Sequence, residues 1–271
     1  MADDRPIGIF DSGVGGLTVV RAVIERSPDE ALLYLGDRAR YPYGPRSIAE
    51  IRGFAVEIAR ELVAHDVKLL VVACNSVEVA AIQDVADAGG TPVVGVIDPG
   101  VRAAVARTRT GKIGLIGTEA TVASGAYDRA LARADGGTEL LAVACPGVVE
   151  HIERGDTSSA ELSDLLAAYL APLRSAGVDA LILGCTHYPL VADMIAAHMG
   201  PETVLVSSAD ATAADVASAL DRFSLRATAN GGGSREFLCT GDPAEFQALA
   251  RRFLGEDVGV VRPVELAPVE A

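Results

Sequence analysis

Val71-Val72-Ala73-Cys74-Asn75-Ser76 and Leu181-Ile182-Leu183-Gly184-Cys185-Thr186-His187 are two apolar runs that each end in a cysteine, followed at once by small hydrogen-bonding residues. An apolar run of this length between helical patterns marks a strand buried on both faces of a parallel sheet. Each cysteine then stands where strand gives way to loop. In open α/β sheets that carboxyl edge is where ligands bind. Two such strand ends in one chain read as matching parts of a duplicated unit.

Upstream of Cys74, Pro6-Ile7-Gly8-Ile9-Phe10 reads as a first buried strand. It runs into Asp11-Ser12-Gly13-Val14-Gly15-Gly16-Leu17-Thr18 and a helix to about Arg26. Glycines between strand and helix allow close backbone approach to a ligand, and the helix start favours anions. The spacing is not that of a dinucleotide fingerprint. Ala31 to Gly36 is a second strand, followed by a structured Pro-, Gly- and Tyr-rich loop through Pro45. Ser47 and Glu50 form a capping box for a long helix, with Ile51, Phe54, Ala55, Ile58 and Leu62 at helical spacing. Lys68 to Ala73 is a third strand, Glu78 to Ala86 a helix and Pro92 to Val96 a fourth strand, and Ile97-Asp98-Pro99-Gly100 marks an exit from the first unit.

The pattern then restarts. Lys112 to Ile116 leads into Gly117-Thr118-Glu119-Ala120-Thr121, and Leu140 to Ala144 leads into Cys145-Pro146-Gly147. A helix over 159–176 precedes a strand from Asp179 to Gly184, and Thr203 to Val206 is the last matching strand. Asp11 and Cys74 are 63 residues apart; Thr118 and Cys185 are 67 apart. The expectation is an α/β fold of two pseudo-symmetric domains, each a mainly parallel sheet flanked by helices, with the active site in the cleft between them. The tail reads as a helix over 211–223, a flexible loop over 228–234, a strand over 236–239, a helix over 243–254 and a loose end from Pro263. It is expected to complete the first domain, giving 1–97 plus 208–271 and 98–207.

The chain has 271 residues, half of them hydrophobic, no Trp and a net charge of −14. That charge argues against a nucleic-acid partner, which needs a basic surface. It does not argue against a small acidic substrate, because backbone N–H groups bind anions inside acidic proteins. The first residues carry no secretory pattern, and no apolar run approaches the roughly 20 residues of a membrane span. The cysteines, at 74, 145, 185 and 239, are far apart. A cytoplasmic protein with free thiols, no metal and no membrane partner is expected.

A lone strand-end cysteine reads as core packing. Two in equivalent positions point to equivalent roles on opposite faces of one substrate. Inversion by proton transfer needs this: a thiolate removes a proton from one face and a thiol returns one to the other. A thiol titrates near 8.5, and the helix that follows each cysteine lowers that value. Asn75, Ser76, Thr186 and nearby N–H groups are suited to hold a carboxylate and an amine. Asp11 and His187 are placed to tune the thiols. Pyridoxal phosphate would need a Schiff-base lysine, and the only lysines, Lys68 and Lys112, begin strands at the opposite edge. A cofactor-free reaction is therefore expected. Cys145 and Cys239 read as packing residues; His65, His151 and His198 read as exposed.

Gly8 to Leu17, Pro42-Tyr43-Gly44, Ala73 to Ser76 and Leu183 to Leu190 together resemble the glutamate racemases, and the resemblance runs from about residue 7 to 262. The Ala-rich, Lys-poor composition is of the actinobacterial kind. The resemblance implies a cofactor-independent, homodimeric enzyme that makes D-glutamate for peptidoglycan. It implies Cys74 and Cys185 as the acid–base pair, assisted by Asp11, His187 and Glu153. Substrate would be held by Asp11, Ser12, Tyr43, Gly44, Asn75, Ser76, Thr186 and His187, with Thr118 and Thr121 added. Aspartate and hydantoin racemases are rivals of the same fold; the segments Asp11 to Gly16 and Pro42 to Gly44 favour glutamate. Some members of the resembled family inhibit DNA gyrase, so a gyrase contact is a second reading, although nothing in this sequence encodes it. Ser76 stands where Thr is common, and Val77-Glu78 replace small residues. Glu78 is expected to face solvent; turned inward, it would slow the Cys74 side.

Overall fold

The expected strand–helix alternation occurs twice in the computed structural model, which describes residues 2–228, 231–255 and 258–267. In the first half, β1 (Ile7–Asp11), β2 (Leu32–Asp37), β3 (Leu69–Val72) and β4 (Val93–Val94) alternate with α1 (Leu17–Arg26), α2 (Ile48–Ala64) and α3 (Asn75–Gly89). After α4 (Ile97–Val105) come β5 (Lys112–Gly117), β6 (Glu139–Ala144), β7 (Ala180–Gly184) and β8 (Val204–Ser207). Between them lie α5 (Glu119–Ala123), α6 (Ala126–Ala134), α7 (Val148–Glu153), α8 (Ala160–Ala176) and α9 (Ala192–Met199). The chain closes with α10 (Ser208–Arg222), β9 (Arg235–Thr240), α11 (Pro243–Leu254) and β10 (Val261–Pro263).

Both sheets are wholly parallel. Their strand orders are β10-β9-β2-β1-β3-β4 and β6-β5-β7-β8. The segments β2-β1-β3-β4 and β6-β5-β7-β8 are the same arrangement of second, first, third and fourth strand. That identity is the duplication seen as structure. In such an order the chain leaves the first strand to one side and returns on the other, which opens a crevice at the carboxyl ends of the first and third strands. Asp11 ends β1 and Cys74 lies beyond β3; Thr118 lies beyond β5 and Cys185 beyond β7.

Every residue of β1, β3 and β7 is buried, as their uninterrupted apolar runs require when helices cover both faces. The Ser47–Glu50 capping box forms: the Ser47 hydroxyl accepts from the Glu50 N–H, and the Glu50 carboxylate accepts from the Ser47 N–H at 3.0 Å. Among the described residues no helix is long and apolar enough to cross a membrane, and no group of three His, Cys, Asp or Glu could hold a metal.

Four expectations are corrected. The helix after Cys74 begins at Asn75 rather than Glu78, so Cys74 itself is its N-cap. Ile97 to Gly100 is the first turn of α4, not a linker; Pro99 fits there because first-turn N–H groups have no partner within the helix. The described end of the loop expected to be flexible is tied down: Gly233 donates to the Pro28 carbonyl at 3.0 Å, and Leu32 donates to the Ser234 carbonyl at 2.8 Å. Two of that loop's residues, 229 and 230, lie outside the described residues. β10 runs parallel to β9 up to Pro263, and Val264 still donates to the Cys239 carbonyl at 2.9 Å, so residues 263 and 264 of the expected loose end are held; its residues 268–271 lie outside the described residues.

Glu78 does not face solvent, nor does it turn toward Cys74. Its carboxylate accepts from the N–H groups of Val96 and Ile97, where the chain crosses from β4 into α4. Burial pushes its carboxyl up to about 7, although those two N–H groups pull the other way. A carboxyl raised on folding makes the folded state bind more protons than the unfolded one. Its contribution therefore falls as pH rises from the unfolded value near 4.5 to about 7, and stays low above that. Glu78→Gln removes this titration. Relative to wild type, it should be more stable at pH 8 than at pH 5 by about 2 kcal/mol. Urea unfolding of both proteins at the two pH values measures the difference; a gap that does not change with pH contradicts it.

Candidate active site

Six carboxyl-end loops, three from each half, converge on one pocket. Ser12 follows β1, Tyr41 to Pro45 follow β2, and Cys74 to Ser76 follow β3. Thr118 and Glu119 follow β5; Cys145 to Gly147, Val149 and Glu150 follow β6; Cys185 to His187 follow β7. Cys74 and Cys185 thus enter the pocket from different sheets. Of the residues expected to form the site, Ser12, Tyr43, Gly44, Asn75, Ser76, Thr118, Thr186 and His187 line it with the two cysteines. Asp11, Thr121 and Glu153 stand behind that wall.

On the first half, the Cys74 thiol donates to the Ser12 hydroxyl at 3.5 Å. Burial pushes this thiol up to about 11, and the charge of Asp11 adds to the rise; the Ser12 hydroxyl and the Val77 N–H offset only part of it. The helix start was expected to lower this value, but desolvation outweighs it. Asp11 is fully buried. It accepts from the Tyr34 hydroxyl at 2.6 Å and from the Gly13 and Gly16 N–H groups at 2.8 and 2.5 Å. Its carboxylate thereby shapes the glycine loop, and it acts on Cys74 through space. Burial raises the Asp11 carboxyl itself, against the charge of His187 and these three donors.

Asn75 accepts from the Tyr127 hydroxyl of α6 at 2.6 Å, while its Nδ2 is buried with no partner among the described residues. A buried amide donor at a pocket wall is a group that a ligand carboxylate would satisfy. The Ser76 and Thr118 hydroxyls share a hydrogen bond of 2.9 Å that spans the two halves. Thr118 also meets the hydroxyl of Thr121, which is nearly fully buried, at 3.0 Å. The Tyr43 hydroxyl is committed to Asp37, which also accepts from Thr240 and Arg40 at 2.6 Å each. Tyr43 therefore offers the pocket its ring and backbone.

On the second half, Cys185 Sγ lies 3.6 Å from His187 Nδ1. His187 Nε2 is 2.8 Å from Glu153 Oε1, and Glu153 Oε2 accepts from Arg38 Nη1. The Phe253 ring of α11 stands edge-on to the imidazole, with centroids 5.6 Å apart. Burial works against a charged His187, but its hydrogen bonds to Cys185 and Glu153 and their charges prevail and hold it up to about 10. The imidazolium then donates to Sγ on one side and to the carboxylate on the other. His151, expected to be exposed, is buried and paired with Asp156 at 2.7 Å.

Several lining residues escaped the sequence reading. Cys145, taken for packing, lines the pocket, and burial pushes its thiol up to about 12. Tyr41, Glu119, Pro146, Gly147, Val149 and Glu150 also line it. The duplication held a usable signal: if the loop after the second strand reaches the site in one half, its counterpart at Cys145-Pro146-Gly147 should do so in the other. Neither lysine is nearby. Lys68 is buried against Glu30 at 2.5 Å, and Lys112 donates to the Ala176 carbonyl at 3.1 Å.

The pocket thus presents one thiol held neutral, one thiol hydrogen-bonded to a cationic imidazole, and an unpaired amide donor. A sequence profile of the Asp/Glu/hydantoin racemase family matches residues 15–219. The glutamate racemase of Parafrankia sp. is 52% identical over 267 residues, spanning 98% of this chain and 95% of that protein. The solved structure of a Bacillus anthracis glutamate racemase superposes with a TM-score of 0.93 at 38% identity, over 97% of this chain and 98% of that one. One from Francisella tularensis, solved in complex with D-glutamate, gives 0.90 at 32% identity, over 97% and 98%. With a shared fold along nearly its whole length, the chain belongs to the Asp/Glu/hydantoin racemase family, among its glutamate racemases.

Proposed function

We propose that this enzyme interconverts L- and D-glutamate by a cofactor-independent, two-cysteine reaction and so supplies D-glutamate for peptidoglycan. The observation that carries the reading is the entry of Cys74 and Cys185 into one pocket from equivalent strand ends. In one direction the Cys185 thiolate, beside the His187 imidazolium, takes the α-proton. The electron pair left on the α-carbon spreads into the carboxylate, and the neutral Cys74 thiol delivers its proton to the other face. The reverse direction starts with Cys74 ionised and Cys185 protonated. Asn75, Ser76, Thr186 and the first N–H groups of α3 hold the substrate and the charge that develops. The position of both lysines away from the pocket favours chemistry without a Schiff base. The Francisella relative's complex with D-glutamate supports the choice of substrate.

L-Glutamate, L-aspartate and a hydantoin, each incubated with the protein and followed by circular dichroism, test the substrate. Optical activity should decay with L-glutamate, and in deuterated water solvent deuterium should appear at the product α-carbon. Persistence of the L-glutamate signal while another substrate decays would move the assignment to that substrate.

A further inference from the structure

Arg38 directly follows β2 in the first half, and Glu153 is the last residue of α7 in the second. The guanidinium donates to Glu153 Oε2, Glu153 Oε1 meets His187 Nε2 at 2.8 Å, and His187 Nδ1 reaches Cys185 Sγ at 3.6 Å. The Arg38, Glu153 and His187 side chains are 17%, 5% and 4% exposed, so water screens little of this chain. Among the described residues Arg38 is the only side chain bonded to Oε2. A buried carboxylate at a helix end opposed by the negative pole needs such a cation. The Arg38 guanidinium also lies over the Tyr41 ring at 5.3 Å, and Tyr41 lines the pocket. Among the described residues Cys74 has no hydrogen bond to these side chains: its thiol meets Ser12.

Resting on the proposed racemisation, we propose that Arg38 is a positioning residue for the Cys185 proton transfer: acting across the cleft through Glu153, it keeps the His187 imidazole aligned on that thiol and plays no part on the Cys74 face. Removing it frees one carboxylate oxygen and lets Glu153 turn from His187. Lysine restores a charge there but not the planar fork of arginine, so Arg38→Lys should recover part of what Arg38→Ala loses.

The net rate cannot localise the lesion. The enantiomers have equal free energy, so kcat/KM is equal in both directions for every variant. Substrate deuterium effects can, because a different thiol removes the α-proton from each enantiomer. A slower Cys185 transfer raises the effect for the enantiomer that Cys185 deprotonates and lowers it for the other. Arg38→Ala should lower kcat/KM by about 10- to 100-fold, the scale on which a small misplacement of a reacting group acts. Its deuterium effects with α-deuterated L- and D-glutamate should diverge, and Ser12→Ala, on the Cys74 face, should shift them the opposite way. If kcat/KM and both effects stay at wild-type values, or the two effects move together, the proposal is overturned. Iodoacetamide labelling read by peptide mass gives a second measure that needs no turnover. At pH 7, Arg38→Ala should slow labelling of Cys185 about tenfold and leave Cys74 unchanged; equal slowing of both also overturns it. Wild-type protein that fails to racemise glutamate while Cys185 labelling still depends on Arg38 would sink the substrate assignment and leave this inference standing.

Discussion

On the two-cysteine reaction proposed above, Cys74→Ser and Cys185→Ser should each lower kcat/KM for glutamate racemisation by about 10³-fold or more, equally in both directions. Serine keeps the shape and the hydrogen bonds, but an alcohol surrenders its proton far less readily than a thiol. The equality between directions follows from an equilibrium constant of one, so the unlike settings of the thiols do not show in kcat/KM. Each variant keeps one working thiol. In deuterated water, therefore, Cys74→Ser should exchange the α-proton of one enantiomer without inverting it, and Cys185→Ser that of the other. Proton NMR of the glutamate α-position follows both. A single variant that racemises at the wild-type rate would defeat the two-base scheme.

Gly15→Ala should lower kcat by about 10²-fold while the protein stays folded. A Cβ at this position would lie 2.5 Å from His187 Nδ1, 2.5 Å from Thr186 Oγ1 and 2.7 Å from His187 Cε1. These atoms belong to the opposite half, so the lesion crosses the cleft. His187 cannot retreat freely, because Phe253 stands edge-on to its ring and Glu153 holds its far nitrogen. The imidazole must therefore move relative to Cys185. Overpacking of this kind costs about 1–3 kcal/mol, a few degrees in Tm for a chain of this size. Kinetics beside thermal unfolding separate the two effects; wild-type kcat in a stably folded Ala variant would show that the imidazole's position is not critical.

Both cysteine-ended strands were legible because fully buried parallel strands leave continuous apolar runs, and α11 was readable to the residue because Asp242 caps it and Gly255 ends it. β10 was not legible: three residues carry no periodicity, and only pairing with β9 makes them a strand. The direction of Glu78 was hidden because one polar residue on a helix looks the same whether it meets water or another segment's backbone. The resemblance placed Tyr43 among the substrate-holding residues without saying by which group; that Asp37, buried beside it, takes its hydroxyl shows only in the fold. Arg38 left no mark at all. It sits beside Arg40 in a loop and lies 115 residues from Glu153, so only the tertiary fold joins them.

The shared strand order of the two sheets bears on how an enzyme handles mirror images. A protein built of L-residues contains no mirror plane, so it cannot reflect one wall of a pocket into the other. Two copies of one βα unit are related by a rotation, and a rotation can bring like groups to the two sides of a flattened carbon while every residue keeps its handedness. What reflection would do for a pair of enantiomers, this chain approximates by repeating itself.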